Sequence, residues 1–514
     1  MFQEGHTPYQ TLPTWTKSPP VVVAGIPAHS YYATGATAGE APSPHVNLLE
    51  TGPKKERRCQ DALWALAFYF HLGTLAYCTY AYTPTMVKDL AKGIQSSSSN
   101  GGGRMLQSNY DDAFRIDWTV DPHDLTVLIS IAALTSIAFS TLALSFMIIF
   151  AELLIKMSLF FNILLFAAGA GLSIWIGAIG MTVICLVLMG FTLYYTTRVW
   201  SRIPFAAANL TTAVTAVKAN LGLALYAYGS IIFIFLWTLW WAVATSSTFY
   251  VLNGCNAKGQ CFTEPNGGLV FLFLLSYYWT AQIIANIVHV TTAGVVGTWW
   301  YIPKEATGCF SRAISDSYCR AITFNFGSIC FASLIVAIIQ TLREMVNAVR
   351  ENGDAFLACF ADCILACIET LAEIFNRFAL VYCAVHGQSF LQGGRSVMQL
   401  FQQRGWTTII TDMMVDTVLF MVAVGVALTV GILSVIVGTA MGMQRTGTLG
   451  VAFLAGSFLG YSMCAVLFAL VSSAVNAVIV CYAEAPNEFQ ANHPDLSNRM
   501  KHAWRQAWPG EFTY

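Results

Sequence analysis

The chain has 514 residues, 56% of them hydrophobic and only 10% charged, with a mean hydropathy of +0.59; soluble domains carry about 25% charged residues. A formal net charge of −1 provides no field to attract nucleic acid and does not suit an acidic substrate. These numbers place the chain in lipid.

Residues 1–58 are rich in Pro, Gly, Thr and Ala with few large aliphatics. Such a stretch cannot bury enough surface to offset its chain entropy, so it reads as a disordered cytosolic tail. The opening MFQEGHTPYQTLPTWTKSPP lacks the basic, apolar, then small-residue order of a cleavable signal peptide. Insertion then relies on the first internal apolar span. Residues 59–480 read as the transmembrane domain and 481–514 as a cytosolic tail, within which Arg499 to Trp508 has the composition of an amphipathic surface helix.

A bilayer crossing takes about 20 apolar residues, and by that length the domain holds about ten spans. The first two lie near 60–83 and 125–151. The stretch from Ser158 to Thr197 is too long for one helix, and GAIG at 177–180 suits a hairpin between two. Six more follow near 225–249, 268–300, 319–342, 362–385, 412–437 and 450–480. Two mixed stretches, 204–224 and 386–408, hold Lys218, Arg395 and Arg404 and read as interfacial amphipathic helices. The predicted fold class is therefore an all-α polytopic membrane protein.

Basic residues beside the spans set orientation. Lys54, Lys55, Arg57 and Arg58 put the N-terminus in the cytosol, and an even number of spans returns the C-terminus to the same side. Arg343 and Arg350 break the pattern by falling on an outward loop, though Glu344, Glu351 and Asp354 sit beside them. Either local neutralisation suffices there or the seventh and eighth spans are misplaced.

The outward loop GCNAKGQC places Cys255 and Cys261 on the oxidising side, where they form either a short-loop disulfide or two free thiols. Cys359, Cys363 and Cys367 share a helical stripe, but no histidine or fourth cysteine lies near in sequence, so no metal site is predicted. The N-x-S/T sequence at Asn209 falls on the cytosolic side and should stay unglycosylated. SSSSNGGG at 96–103, in an outward loop with six acidic and four basic residues between Pro84 and Asp124, reads as a flexible tether. No glycine-lysine-serine loop is present, so ATP is not an expected partner, nor is any other cofactor. No paired-histidine or Ser-His-Asp spacing suggests an enzyme.

Candidate site residues come from two spans. In SYYWTAQIIANIVHVTTAGVVGTWWY (276–301), Tyr278, Gln282, Asn286, His289 and Thr292 recur at steps of three and four and form one polar stripe. Lipid cannot satisfy these groups, so they face other helices or a wet cavity. One reading is interhelical glue, worth about 0.6–1.7 kcal/mol per contact; the other is a lining for a substrate path. In ADCILACIETLAEIFNRFALVYCAVHG, Glu369, Glu373 and Arg377 are spaced by four, and a charge at bilayer depth costs about 2.5–3.5 kcal/mol. Either a structural ion pair or an acid attracting a cation follows. Tyr277, Tyr278 and Trp279 offer the aromatic faces that hold a quaternary ammonium, while most other tryptophans suit an interfacial belt. GSFLG (Gly456 to Gly460) is a small-residue pattern for close helix packing.

The opening stretch, together with FNFGSICFASLIVAIIQTLR (324–343), FNRFALVYCAVHGQSFLQGGRSVMQLFQQRGWTTIITD (375–412) and CYAEAPNEFQANHPDLSNRM (481–500), resembles the choline transporter-like family, solute carrier family 44, most closely its fungal and protist pH-nine-sensitive branch. The resemblance implies a ten-span transporter with both termini cytosolic and choline or a related amine alcohol as cargo. One departure is visible: where the family usually has lysine in a tyrosine-glycine-lysine-serine-phenylalanine stretch, His386-Gly387-Gln388-Ser389-Phe390 has glutamine. The reading that results is a gradient-driven carrier of an organic cation, most simply in the plasma membrane. Its substrate-binding residues would be Tyr278, Trp279, Gln282, Asn286, His289, Glu369 and Glu373. The alternative is a non-transporting membrane scaffold or stress-linked factor.

Overall fold

The computed structural model describes residues 58–99, 122–256, 261–264, 266–352, 355–404, 407–442 and 446–507. All belong to one compact unit, Leu48–Tyr514. The predicted N-terminal tail up to residue 57 and residues 100–103 of the predicted tether lie outside the described residues, while 96–99 form the end of the first helix.

Every described element is helical, and the order follows the hydropathy. Helix α1 (Ala62–Ser99) leads to α2 (Pro122–Ile176), α3 (Ile179–Val199), α4 (Ile203–Ala219), α5 (Leu223–Leu252) and α6 (Gly267–Tyr301). Then come α7 (Arg312–Ile322), α8 (Phe326–Asn352), α9 (Ala355–His386), α10 (Phe390–Arg404), α11 (Thr407–Ala440), α12 (Thr446–Glu484), α13 (Pro486–Asn492) and α14 (Pro494–Ala507).

By length and composition, eight described helical stretches can cross a membrane, against the ten expected, and two physical facts account for the difference. Helix α2 has 55 residues, about 80 Å at 1.5 Å per residue, so it carries the length of two crossings. Phe150 leaves helical geometry there (φ −115°, ψ 24°), at the boundary the hydropathy sets near residue 151. Helix α9 fails a simple apolar test because it holds Asp362, Glu369, Glu373 and Arg377. The hairpin at GAIG forms: Gly177 takes φ 80°, and a Cβ on Gly169 would sit 3.3 Å from the Cys185 sulfur on the returning helix.

Helix α7 was not expected. The seventh span, read from residue 319, takes in the end of α7, but the helix breaks at Asn325: its N–H bonds to the Arg320 carbonyl at 2.9 Å and its Nδ2 donates to the Cys383 carbonyl at 3.3 Å. The span proper therefore starts at Phe326. Helix α10 has the amphipathic form expected, burying Phe390, Gly393, Gly394, Val397 and Phe401 against α9 while Gln392, Arg395 and Gln399 point outward. Glycine is needed at 393 because a Cβ would press to 3.0 Å on the Ala379 carbonyl. Helix α4 is buried along most of its length and packs on α2, α12 and α14, so protein rather than lipid covers it. Asn209 is fully buried there, which bars glycosylation on either side.

Two tight structures close the end of the bundle where α6 finishes. The last carbonyls of a helix lack intrahelical partners. Here Asn492 Nδ2 donates to Trp300 O and Tyr301 O, each at 2.9 Å, and His493 Nε2 to Trp299 O at 3.1 Å. Trp300 stacks on Phe489 and Trp299 on His493, both with centroids 3.9 Å apart; these tryptophans anchor α13 instead of forming a membrane belt. Burial lowers the His493 pKa, and its bond to Trp299 opposes this only in part. The folded state thus favours neutral imidazole: its contribution is full above an ordinary histidine pKa of about 6.5 and is lost as pH falls below it. Protease cleavage within α13–α14 should increase between pH 7.5 and pH 5.5, and His493→Gln should flatten that change; equal pH sensitivity in both proteins would refute the assignment.

The second structure is a clasp before α1. Gln60 bonds through its N–H to the Phe324 carbonyl (3.0 Å) and through Nε2 to the Gly387 carbonyl (3.2 Å). The Asp61 carboxylate accepts from Ser328 Oγ at 2.6 Å and from the Phe390 N–H at 2.8 Å. Asp61 adopts φ 52°, a costly conformation for a residue with a side chain. One carboxylate oxygen therefore joins the starts of α1, α8 and α10.

Candidate functional site

The stripe on α6 turns inward, as its spacing predicts, and meets partners on three helices. Gln282 Nε2 donates to Gln340 Oε1 on α8 at 3.3 Å, and Asn286 Nδ2 to Ser333 Oγ on α8 at 2.9 Å. His289 is buried, with Nδ1 2.9 Å from Ser473 Oγ on α12 and Nε2 3.0 Å from the Arg377 carbonyl on α9. Thr292 spends its hydroxyl on the Val288 carbonyl one turn back. Tyr278 is half-buried and its hydroxyl meets Glu344. Trp279 is buried and donates its indole N–H to the Cys330 carbonyl at 2.9 Å.

Charge enters from α9. The Glu373–Arg377 pair read from four-residue spacing is present but long, at 4.0 Å. Arg377 instead makes its short contact, 2.8 Å, across to Asp416 on α11, whose other oxygen accepts from Ser472 Oγ of α12 at 2.9 Å. Glu369 pairs with Arg343 of α8 at 2.5 Å, and the same guanidinium holds Asp362 at 2.9 Å. Arg343, one of the two basic residues that break the expected orientation pattern, is thus paired with carboxylates of the next helix. Among the described residues, four carboxylates thus share two guanidiniums along a seam between α6, α8, α9, α11 and α12. An uncompensated negative charge in a low-dielectric setting favours a cation beside it.

A cavity of about 410 Å³ lies at the end of α6, lined by residues that include Tyr301, Glu305, Arg312, Asp316 and Arg320 and by none of the seam residues; between the two, Val290 to Val296 of α6 is buried. Beside the cavity, His386 Nε2 lies 2.9 Å from the Glu484 carboxylate. Gln388, the departure from the family pattern, accepts from Ser396 Oγ at 3.3 Å within the α9–α10 connection.

Sequence reasoning missed Asp416, Asp362, Ser472, Ser473, Gln340 and Ser333. Asp416 had a usable signal, since a carboxylate inside the apolar run MMVDTVLF must find a partner. The serines carried none, because serine inside a span usually bonds to its own backbone one turn back. The disulfide Cys255–Cys261 forms at the opposite end of α6, and the described residues contain no group of three or more His, Cys, Asp or Glu placed to hold a metal.

Comparison with known proteins agrees with this architecture. The family described as plasma-membrane choline transporter matches residues 183–487. The protein PNS1 of Debaryomyces hansenii is 26% identical over 486 residues, covering 90% of each chain. A CTL-like protein of Dictyostelium discoideum is 28% identical over 327 residues, 63% of this chain and 56% of the relative. PNS1 of Candida albicans is 25% identical over 413 residues, 77% of this chain and 76% of the relative. The family match spans more than half of the sequence, including α5 to α12 and the whole polar seam, and the chain belongs to the choline transporter family.

Proposed function

We propose that this multi-pass membrane protein carries choline or a related amine alcohol down, or together with, an electrochemical gradient. Tyr278, Trp279, Gln282, Asn286, His289, Glu369 and Glu373 would contribute to its path. The observation that carries the reading is the excess of carboxylates over guanidiniums among the described residues of the seam. A fixed organic cation restores that balance. The cavity beside Tyr301 would be the cytosolic mouth. Both termini would then be cytosolic and the membrane the plasma membrane, with no nucleotide required.

A second reading has its own support. Gln282, Asn286 and His289 each already have a hydrogen-bond partner on a neighbouring helix, as interhelical glue would. A non-transporting scaffold or stress-linked factor would need nothing more. Uptake of labelled choline into proteoliposomes under an imposed potential separates the two. Saturable uptake is expected in the wild type, falling at least about tenfold in Glu373→Gln, because an interaction worth about 1.4 kcal/mol corresponds to that factor. Asn286→Ala should fall less, by about threefold, because Ser333 can rehydrate. Uptake unchanged in both well-folded variants would remove the site assignment, and no uptake of any amine by the wild type would favour the scaffold.

A further inference from the structure

We propose that an anionic phospholipid binds in the groove between α2, α4 and α14, with its phosphate held by Arg499 and His502 and an acyl chain laid against Ile148 and Ile149. The site is separate from the polar seam and holds whether or not the chain moves a cargo. The amphipathic surface helix expected from Arg499 onward forms as α14, starting five residues earlier, and no role described above uses it.

Helix α14 divides by face. Ser497, Met500, Ala503, Trp504 and Ala507 are buried, and the Trp504 ring stands edge-on to Phe205 of α4 at 4.7 Å and beside Tyr482 of α12 at 5.5 Å. Asn498, Arg499, His502, Arg505 and Gln506 are exposed on the other face. Steps of three and four gather them into one stripe, and no carboxylate occurs from residue 496 to residue 507. Because α13 ties α14 to the end of α6, the stripe lies where the spans leave the membrane. A basic face held at that level meets lipid headgroups.

Arg499 and His502 form one wall of a cavity of about 650 Å³, and much of the rest is apolar. Ile148 and Ile149 of α2 line it just before the kink at Phe150, and Ala207 and Ala208 of α4 line it from below. Phe146, Ile149 and Leu153 are exposed, so the groove runs on into a face of α2 that lipid covers. Lys156 sits 6.0 Å over the half-exposed Trp200 ring, a pairing that suits headgroup depth, where tryptophan gathers. The carboxylate in the lining, Glu152, is already paired with Lys156 at 2.7 Å. Among the described residues Arg499 has no ion-pair partner, which leaves the groove with one uncompensated guanidinium. Guanidinium binds phosphate oxygens through paired N–H groups, and His502 adds a further donor. A soluble phosphate or an acidic peptide would satisfy these cations but leave the isoleucine wall bare. An uncharged lipid would cover the wall and leave Arg499 unpaired. A phospholipid with net negative charge does both.

Equilibrium binding of dioctanoyl phosphatidylglycerol, dioctanoylglycerol and inorganic phosphate to the full-length protein in neutral detergent tests this. The wild type should bind phosphatidylglycerol at least about tenfold more tightly than dioctanoylglycerol, and phosphate should not displace it. Arg499→Gln should weaken phosphatidylglycerol about fivefold, the change one basic residue makes beside an acidic headgroup, and leave dioctanoylglycerol within about twofold. Lys501→Gln is the matched control, because it removes the same charge from the same helix outside this groove; it should alter binding by less than about twofold. Glu152→Gln should strengthen phosphatidylglycerol about threefold, since it removes the repelling carboxylate and frees Lys156. Equal affinity of the wild type for the two lipids, or equal losses in Arg499→Gln and Lys501→Gln, overturns the site. Displacement by phosphate would mark a site for soluble anions and overturn the lipid assignment.

Discussion

Replacing Arg377 with leucine should produce the largest loss of stability of any single change in the seam. The guanidinium is 2.8 Å from Asp416 and within 4.0 Å of Glu373, so its removal strands two carboxylates at once. Breaking a fully buried pair by deleting one partner costs about 3–5 kcal/mol and an exposed pair about 0–1 kcal/mol; with Arg377 and Asp416 each more than a third exposed, about 2 kcal/mol is expected. The melting temperature of the purified protein should fall by several degrees. Arg377→Leu combined with Asp416→Asn should recover a good part of the loss, because the amide can still accept from Ser472 without carrying charge. An additive double variant would show that Asp416 is hydrated rather than held by the guanidinium.

Gly327→Ala should be nearly as damaging, through crowding instead of charge. A Cβ at this position would overlap the backbone carbonyls of Gln60 and Asp61, and backbone cannot turn aside as a flexible side chain can. Overpacking of this kind costs about 1–3 kcal/mol. The variant should also expose the chain near residue 60 to protease, since the Asp61 bonds to Ser328 and Phe390 must be given up to relieve the clash. Gly73→Ala is the matched control. No atom lies within 4 Å of its Cβ position in α1, and alanine in a helix interior gains about 0.5–1 kcal/mol over glycine. Loss of stability in both variants would mean that the clasp is not the cause.

What the sequence made legible were features that repeat along one helix. The stripe from Tyr278 to His289, the α10 face of Phe390, Gly393, Val397 and Phe401, and the turn at Gly177 are all set by local spacing or by a glycine, and each takes the form its spacing implies. The close approach expected at GSFLG also forms: a Cβ on Gly460 would lie 3.0 Å from Val430 and 3.1 Å from Ala427 of α11. Pairings between distant helices were not legible. Glu373 and Arg377 share a face, so they looked like partners, but nothing local reveals that Asp416 competes for the same guanidinium at shorter range. Trp299 and Trp300 sat where a membrane belt belongs, and only the return of Phe489 and His493 onto them assigns them to the C-terminal helices. His71 and Trp237 are 166 positions apart, and only the folded bundle puts their rings in contact.

Because one Asp61 oxygen ties α1 to two other helices at their starts, α1 cannot slide lengthwise without freeing all three. What remains to it is tilt about a pivot at residue 61. Displacement then grows along the lever arm, from almost nothing at Trp64, whose ring is stacked on Phe331, to its maximum beyond Thr83, about 30 Å away along the axis. His71 sits nearly half way up that arm, about 15 Å from the pivot, where a swing of a few degrees shifts its ring by about an ångström.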